Sequence, residues 1–404
     1  MRRRLVAVAA LAGLLAAAVP PTAAHAAPRN VREAQWYLTP YKIAQVQQIT
    51  KGAGVTVAVI DSPIYATHAD LDGQVEHGGT TAPGGPADGW GPDAAGVVHG
   101  TGVASIIAAK GGSNEHMLGI APAAKILPVA NQITGGQSNS ESTSQAIRWA
   151  TDHGAKVINI SLGHTGESHQ YELEAVKYAL DHDVVVIAGI GNTNLGITEP
   201  LVPAGIPGVV AVTGVGNDGK VWSGSVRGAA AVIAAPATQV PVAMPPSQSS
   251  TTYGLADGTS ASTAFVSGVA ALIRAKYPQL SAANVINRLI RTAKDAGTPG
   301  RDADYGFGVV QPLEALTAEV PEVAANPLGA PAVAPSASAS AEPLAAGAPV
   351  GVKGGIPTFV LVGVAAAAGL LLVLVLVAVI VIVRARRRPV APAYPPAGGY
   401  DRAR

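Results

Sequence analysis

The chain has 404 residues, 48% of them hydrophobic and 13% charged, with a formal net charge of +1 and no cysteine. The apolar content excludes a disordered chain, and the balanced charge gives no basic face for nucleic acid. The missing cysteine excludes disulfides, thiolate metal sites and a cysteine nucleophile, while a charged fraction well below the roughly 25% of soluble domains points to apolar segments outside any core.

The N-terminus reads Met1-Arg2-Arg3-Arg4, an apolar run from Leu5 to Val19, then Ala24-His25-Ala26. A charged start, a short apolar middle and a small-residue cleavage site predict a secretory signal over residues 1–26. The apolar run is shorter than the ~20 residues a spanning helix needs. Residues 27–50 follow as an N-terminal extension.

Residues 51–315 read as one α/β domain. β-Branched runs at Val55 to Ile60, 156–160 and 184–187 alternate with helical stretches at 102–109 and 171–181. Such alternation predicts a buried parallel sheet flanked by helices on both faces. Functional groups of such sheets gather at the carboxyl ends of the strands. Asp61 ends the first run, His99 lies in Val97-Val98-His99-Gly100-Thr101-Gly102, and Ser260 lies in Asp257-Gly258-Thr259-Ser260-Ala261.

A carboxylate, an imidazole and a hydroxyl are the parts of acyl transfer. The hydroxyl is a poor nucleophile until a base takes its proton, and a buried carboxylate fixes the tautomer of that base. Ser260 opens the apolar stretch 261–275, which predicts a serine at a helix N-terminus, where negative charge is favoured. Asn192, after Ala188-Gly189-Ile190-Gly191, is a carboxamide placed to donate to an oxyanion. Each feature alone has a plainer reading: Asp61 as a cap, His99 as a structural histidine, Gly191-Asn192 as a turn. His153, His164 and His182 read as structural.

Residues 316–357 are rich in Pro, Ala and Ser and lack an apolar period, which predicts a linker. Residues 358–383 carry no charge and are followed by Arg384, Arg386, Arg387 and Arg388. That pattern predicts a single transmembrane helix with a basic cytoplasmic tail, 384–404, and places the α/β domain outside the cell.

Taken in the order Asp61, His99, Asn192, Ser260, the chain resembles the subtilisin-like serine proteases. The likeness is carried by Val-Ala-Val-Ile-Asp61-Ser62, His68-Ala69-Asp70-Leu71, His99-Gly100-Thr101-Gly102, Ser161-Leu162-Gly163, Gly191-Asn192, Gly258-Thr259-Ser260 and Tyr305-Gly306-Phe307-Gly308. It implies a subtilisin-like sheet, a triad of Asp61, His99 and Ser260, and Asn192 as oxyanion donor. It also implies that Ser161, Leu162 and Gly163, with Ala188 and Gly189, form edges that pair with an extended peptide. His68 belongs to the family pattern as a structural residue. No EF-hand-like run of acidic ligands is present, and no metal or cofactor is assigned.

The layout as a whole is similar to the mycosins, membrane-anchored subtilisin-like proteases of actinobacterial type VII secretion systems. Gln35-Trp36-Tyr37-Leu38 ahead of Gly52-Ala53-Gly54-Val55, the Pro-rich linker, the C-terminal membrane helix and the basic tail carry that likeness. Asp61 lies too near the expected cleavage site for a separately folded pro-domain, and the resemblance implies an extension that wraps the domain. The expected partners are polypeptide substrates, the lipid bilayer and a type VII secretion membrane complex, with no nucleic acid. The competing expectation is a structural subunit of such a complex with weak or no proteolysis. Pro63, Ser262 and Ala264 depart from the family pattern beside the expected catalytic groups, and the pocket preference is left open.

Overall fold

The computed structural model describes residues 30–92, 94, 98–131 and 139–334. The expected signal, the transmembrane helix at 358–383 and the basic tail lie outside these residues. Among the described residues no helix is long and apolar enough to cross a membrane.

Seven strands form one sheet: β1 Thr56–Asp61, β2 Gly79–Thr80, β3 Lys125–Ala130, β4 Val157–Ile160, β5 Val185–Gly189, β6 Val210–Val215 and β7 Ile233–Pro236. Their order is β2-β3-β1-β4-β5-β6-β7 and every pairing is parallel. The strand sequences are apolar without alternation and their residues are almost all buried. That is the mark of strands covered on both faces. A separate antiparallel hairpin, β8 Val240–Ala243 and β9 Tyr253–Ala256, leads into the longest helix.

The helices are α1 Val31–Ala34, α2 Ile43–Ile49, α3 Val98–Ala108, α4 Ser140–Asp152, α5 Gln170–Asp181, α6 Thr259–Lys276, α7 Ala282–Arg291 and α8 Pro312–Thr317. Helices α3 and α6 pack together on the sheet, and α4 and α5 form a second packed pair against it. β1 lies between β3 and β4, so the chain runs outward from it first to one side and then to the other. Crevices for ligands open at the carboxyl ends of strands where the order reverses in this way.

The N-terminal extension is part of the body. Gln35 exchanges two hydrogen bonds with the backbone of Leu118, donating from Nε2 at 2.9 Å and accepting on Oε1 at 2.9 Å. Trp36 donates its indole N–H to the Thr238 carbonyl at 2.9 Å. Tyr37 is fully buried.

The described part of the expected linker is held against the rest of the domain. Arg288 Nη2 holds the carbonyl of Ala318, Asn287 Nδ2 that of Pro321, and Asn284 bonds both backbone groups of Val323. Asn326 donates to Gly208, Gly208 donates to Leu328, and Gln170 donates to Ala334. Residues 318–334 are thus bound along the body through backbone hydrogen bonds, an attachment that needs no apolar periodicity.

Candidate active site

Asp61 is the last residue of β1 and is fully buried. Its Oδ1 accepts the Ser62 N–H at 2.7 Å, so the carboxylate draws a backbone bond from the residue just before Pro63. His99 is the second residue of α3. Its Nδ1 lies 2.7 Å from Asp61 Oδ1 and 2.9 Å from Oδ2, and its Nε2 lies 3.1 Å from Ser260 Oγ. Two acceptor oxygens at Nδ1 fix the proton there and leave Nε2 free to accept.

Gly100 follows because nothing larger fits. A Cβ at Gly100 would stand 2.3 Å from the Ser62 carbonyl oxygen, while its N–H bonds Ser62 Oγ at 2.9 Å. Strand exit and helix start are therefore in backbone contact, which sets the Asp61 to His99 distance. The negative charge of Asp61 raises the pKa of His99, burial opposing it. The His99 side chain is nevertheless 51% exposed toward solvent, whereas that of Asp61 is 0% exposed.

Ser260 is the second residue of α6, as the sequence predicts, with its Oγ also within 3.3 Å of the Ser161 carbonyl. Ser262, two residues on, is fully buried and donates to the carbonyls of Ala235 and Pro236 at 3.0 Å each. Its hydroxyl is occupied in holding α6 to the end of β7, away from His99. Ala264 is fully buried in the same helix.

Asn192 accepts on Oδ1 from both the backbone N–H and the hydroxyl of Thr259, at 2.9 and 3.0 Å. Those two bonds turn Nδ2 the other way. A Cβ built on Gly258 would meet Asn192 Nδ2 at 3.6 Å and the Ser260 backbone N at 3.8 Å, with nothing nearer. Two N–H donors thus border one small open space at the start of α6. The backbone of Gly258, at φ 166°, is extended and open to any residue. What the glycine provides is the empty space.

These groups border a cleft of about 530 Å³ lined by His99, Ser161, Leu162, Gly163, Gly189, Asn192 and Ser260. Ala188, expected at a peptide edge, is fully buried within β5 and is not among the lining residues. The Ser161 edge is braced from behind. Asn159 Nδ2 donates to Ser161 Oγ at 3.0 Å and Asn159 Oδ1 accepts from Ser267 of α6 at 3.0 Å. Thr259, Asn159 and Ser267 carried no role in the sequence reading, because a bracing side chain is visible only once two elements meet.

His68 lies away from the cleft. Its Nε2 donates to the Thr252 carbonyl at 3.1 Å and its Nδ1 accepts the Asp70 N–H at 3.1 Å, and burial lowers its pKa. His153 and His182 each bond a carbonyl of their own preceding helix. His164 and Glu172 stand together at 2.7 Å, and His164 lines the cleft, a position that the sequence reading left as structural. Among the described residues no group of His, Asp and Glu could hold a metal ion.

The profile of the subtilase family matches residues 52–308. Fervidolysin of Fervidobacterium pennivorans is 33% identical over 305 residues, covering 69% of this chain and 42% of its own length. Subtilisin Savinase of Lederbergia lenta is 36% identical over 268 residues, covering 66% of this chain and 91% of its own. The chain therefore spans less than half of fervidolysin but nearly all of Savinase. Among solved structures, MycP1 of Mycobacterium smegmatis superposes with a TM-score of 0.61 at 28% identity, covering 73% of this chain and 87% of that one. A further MycP1 structure, described as a serine protease and an essential component of the type VII (ESX-1) secretion system, gives 0.63 at 30% identity, covering 71% and 89%.

Proposed function

The chain belongs to the subtilase family, and from that premise we propose that it is a membrane-anchored serine endopeptidase acting on polypeptides outside the cytoplasm. The observation that carries this reading is the hydrogen-bonded series Asp61, His99, Ser260, continuous from a buried carboxylate to a cleft-facing hydroxyl. His99 Nε2 takes the Ser260 proton as Oγ attacks the scissile carbonyl, and the imidazolium that forms is stabilised by Asp61. The tetrahedral oxyanion takes N–H bonds from Ser260 and Asn192 Nδ2, aided by the positive end of α6. His99 then returns the proton to the leaving amine, and water repeats the cycle on the acyl-enzyme. The extended edges Ser161-Leu162-Gly163 and Gly189 bind the peptide backbone by strand addition.

The apolar segment 358–383 and the arginines that follow support a single-pass anchor with the C-terminus in the cytoplasm. Likeness to MycP1 supports a place in type VII protein secretion. The test is reaction of the full-length protein with a fluorophosphonate, read by intact mass. A single adduct that Ser260→Ala and His99→Ala both abolish is expected. A folded protein that stays unlabelled would overturn the reading and leave a structural subunit of the secretion complex in its place.

A further inference from the structure

We propose that His164 is a positioning residue of the substrate cleft, held as an imidazolium between Glu172 and the Thr165 carbonyl and fixing the seam where two walls of the cleft meet. This rests on reading the cleft as a peptide-binding site.

The seam is a reciprocal backbone pair. His164 N donates to Val202 O at 3.2 Å and Val202 N donates to His164 O at 2.9 Å. Gly163 and Leu201, the neighbours of this pair, both line the cleft. The approach is close enough that a Cβ on Gly163 would stand 2.4 Å from the Val202 carbonyl oxygen. A small shift at this pair therefore moves both the Ser161-Leu162-Gly163 edge and the wall opposite it.

The imidazole anchors the seam to α5. His164 Nε2 lies 2.7 Å from Glu172 Oε1 and Nδ1 lies 3.0 Å from the Thr165 carbonyl oxygen. Both partners only accept. A neutral imidazole has one N–H and can serve one of them, whereas the imidazolium serves both. The Glu172 side chain is only 5% exposed, and its Oε2 accepts the His169 N–H at 2.8 Å in the first turn of α5, which holds the carboxylate in place beside the ring. The other titratable ring nearby is His169, with centroids 6.1 Å apart, itself stacked on Tyr171 at 5.1 Å. Burial works against the charge on His164, but the Thr165 carbonyl and Glu172 together outweigh it and raise the pKa above 6.5.

Below that pKa the seam is held. As the pH rises through it, Nε2 or Nδ1 loses its proton, one acceptor loses its donor, and the wall loosens. The reacting atoms are untouched, so the effect falls on substrate binding. It runs opposite to the titration of His99, which must lose its proton for chemistry to proceed.

The experiment uses the full-length protein in detergent with the chromogenic peptide succinyl-Ala-Ala-Pro-Ala-p-nitroanilide, from about pH 6 to about pH 9. KM is expected to rise about fivefold toward alkaline pH, the scale of one charge-assisted hydrogen bond, with kcat level there. The Kd of the same peptide for the Ser260→Ala form should follow KM. His164→Gln, which can still donate to Glu172 but does not titrate, should flatten the rise. Glu172→Gln should move it to lower pH, a direction that mere loosening would not produce. A KM level with pH in the unsubstituted protein, or a rise that persists in His164→Gln, overturns the proposal. If His164→Gln does not fold, the direction of the Glu172→Gln shift decides. A Ser260→Ala Kd with the expected pH dependence, in a protein that never turns over the anilide, would retain this proposal and remove the endopeptidase reading.

Discussion

Tyr37 of the N-terminal extension packs edge-on against Phe265, five residues beyond Ser260 on α6, with ring centroids 5.6 Å apart. Tyr41 meets the same ring at 5.0 Å. The segment before β1 is therefore a support for the helix that carries Ser260. Tyr37→Ala is expected to cost about 3–5 kcal/mol of stability, as for other large buried aromatics. Deleting residues 27–50 should abolish fluorophosphonate labelling together with the cooperative unfolding transition. An inhibitory pro-segment would give the reverse, a faster reaction on removal, and calorimetry beside the labelling rate separates the two.

The hydroxyls of Ser260 and Ser262 have opposite fates. Ser262→Ala removes one donor shared by two carbonyls and should cost about 1 kcal/mol in urea unfolding while leaving the labelling rate within about twofold. A large loss of labelling in a stable Ser262→Ala protein would place that hydroxyl in the chemistry.

Gly258→Ala places a methyl in the space between Asn192 Nδ2 and the Ser260 N–H, where no backbone strain or close contact resists it. The substituted protein should fold normally and lose roughly 10²–10³ in kcat, the scale of losing an oxyanion donor. Unchanged kcat would mean that the tetrahedral oxygen lies elsewhere.

The pH dependence of kcat has a definite sign. Asp61 raises the pKa of His99, and only the neutral imidazole is a base, so kcat falls as the pH drops through a value above 6.5. Asp61→Asn removes the charge, so the acid limb should shift to lower pH while the plateau drops about 10⁴-fold from loss of the tautomer. An acid limb at the same pH in both proteins would show that another group titrates.

Much of this architecture was legible in the residues. The runs that became β1, β4 and β5 are uninterrupted β-branched stretches, and Asp61 and Ser260 sit at a strand end and a helix start because those boundaries are written in local composition. The helix predicted at 102–109 begins at Val98 instead, so that His99 is already helical, a shift hidden by Gly100 and Gly102 in its first turn. Residues 318–334 read as linker because Asn284, Asn287, Arg288 and Asn326 hold them by their carbonyls and N–H groups, which impose no pattern on their side chains. His164 was indistinguishable from His153 and His182, since its partner Glu172 reaches it only through the fold.

The embedding of the N-terminal extension also sets an order of events. Residues 35–42 emerge before the whole of the sheet during synthesis, yet Trp36 waits for Thr238, Tyr37 for Phe265 and Lys42 for Glu314, which it meets at 2.7 Å. Contacts this distant along the chain make folding slow, because the loop must be closed before the contact is gained. Residues made ahead of every strand are thus among the last to find their places. A chain made only as far as β9 has its strut residues unplaced and lacks the serine they support, so no cut can be made before α6 is complete.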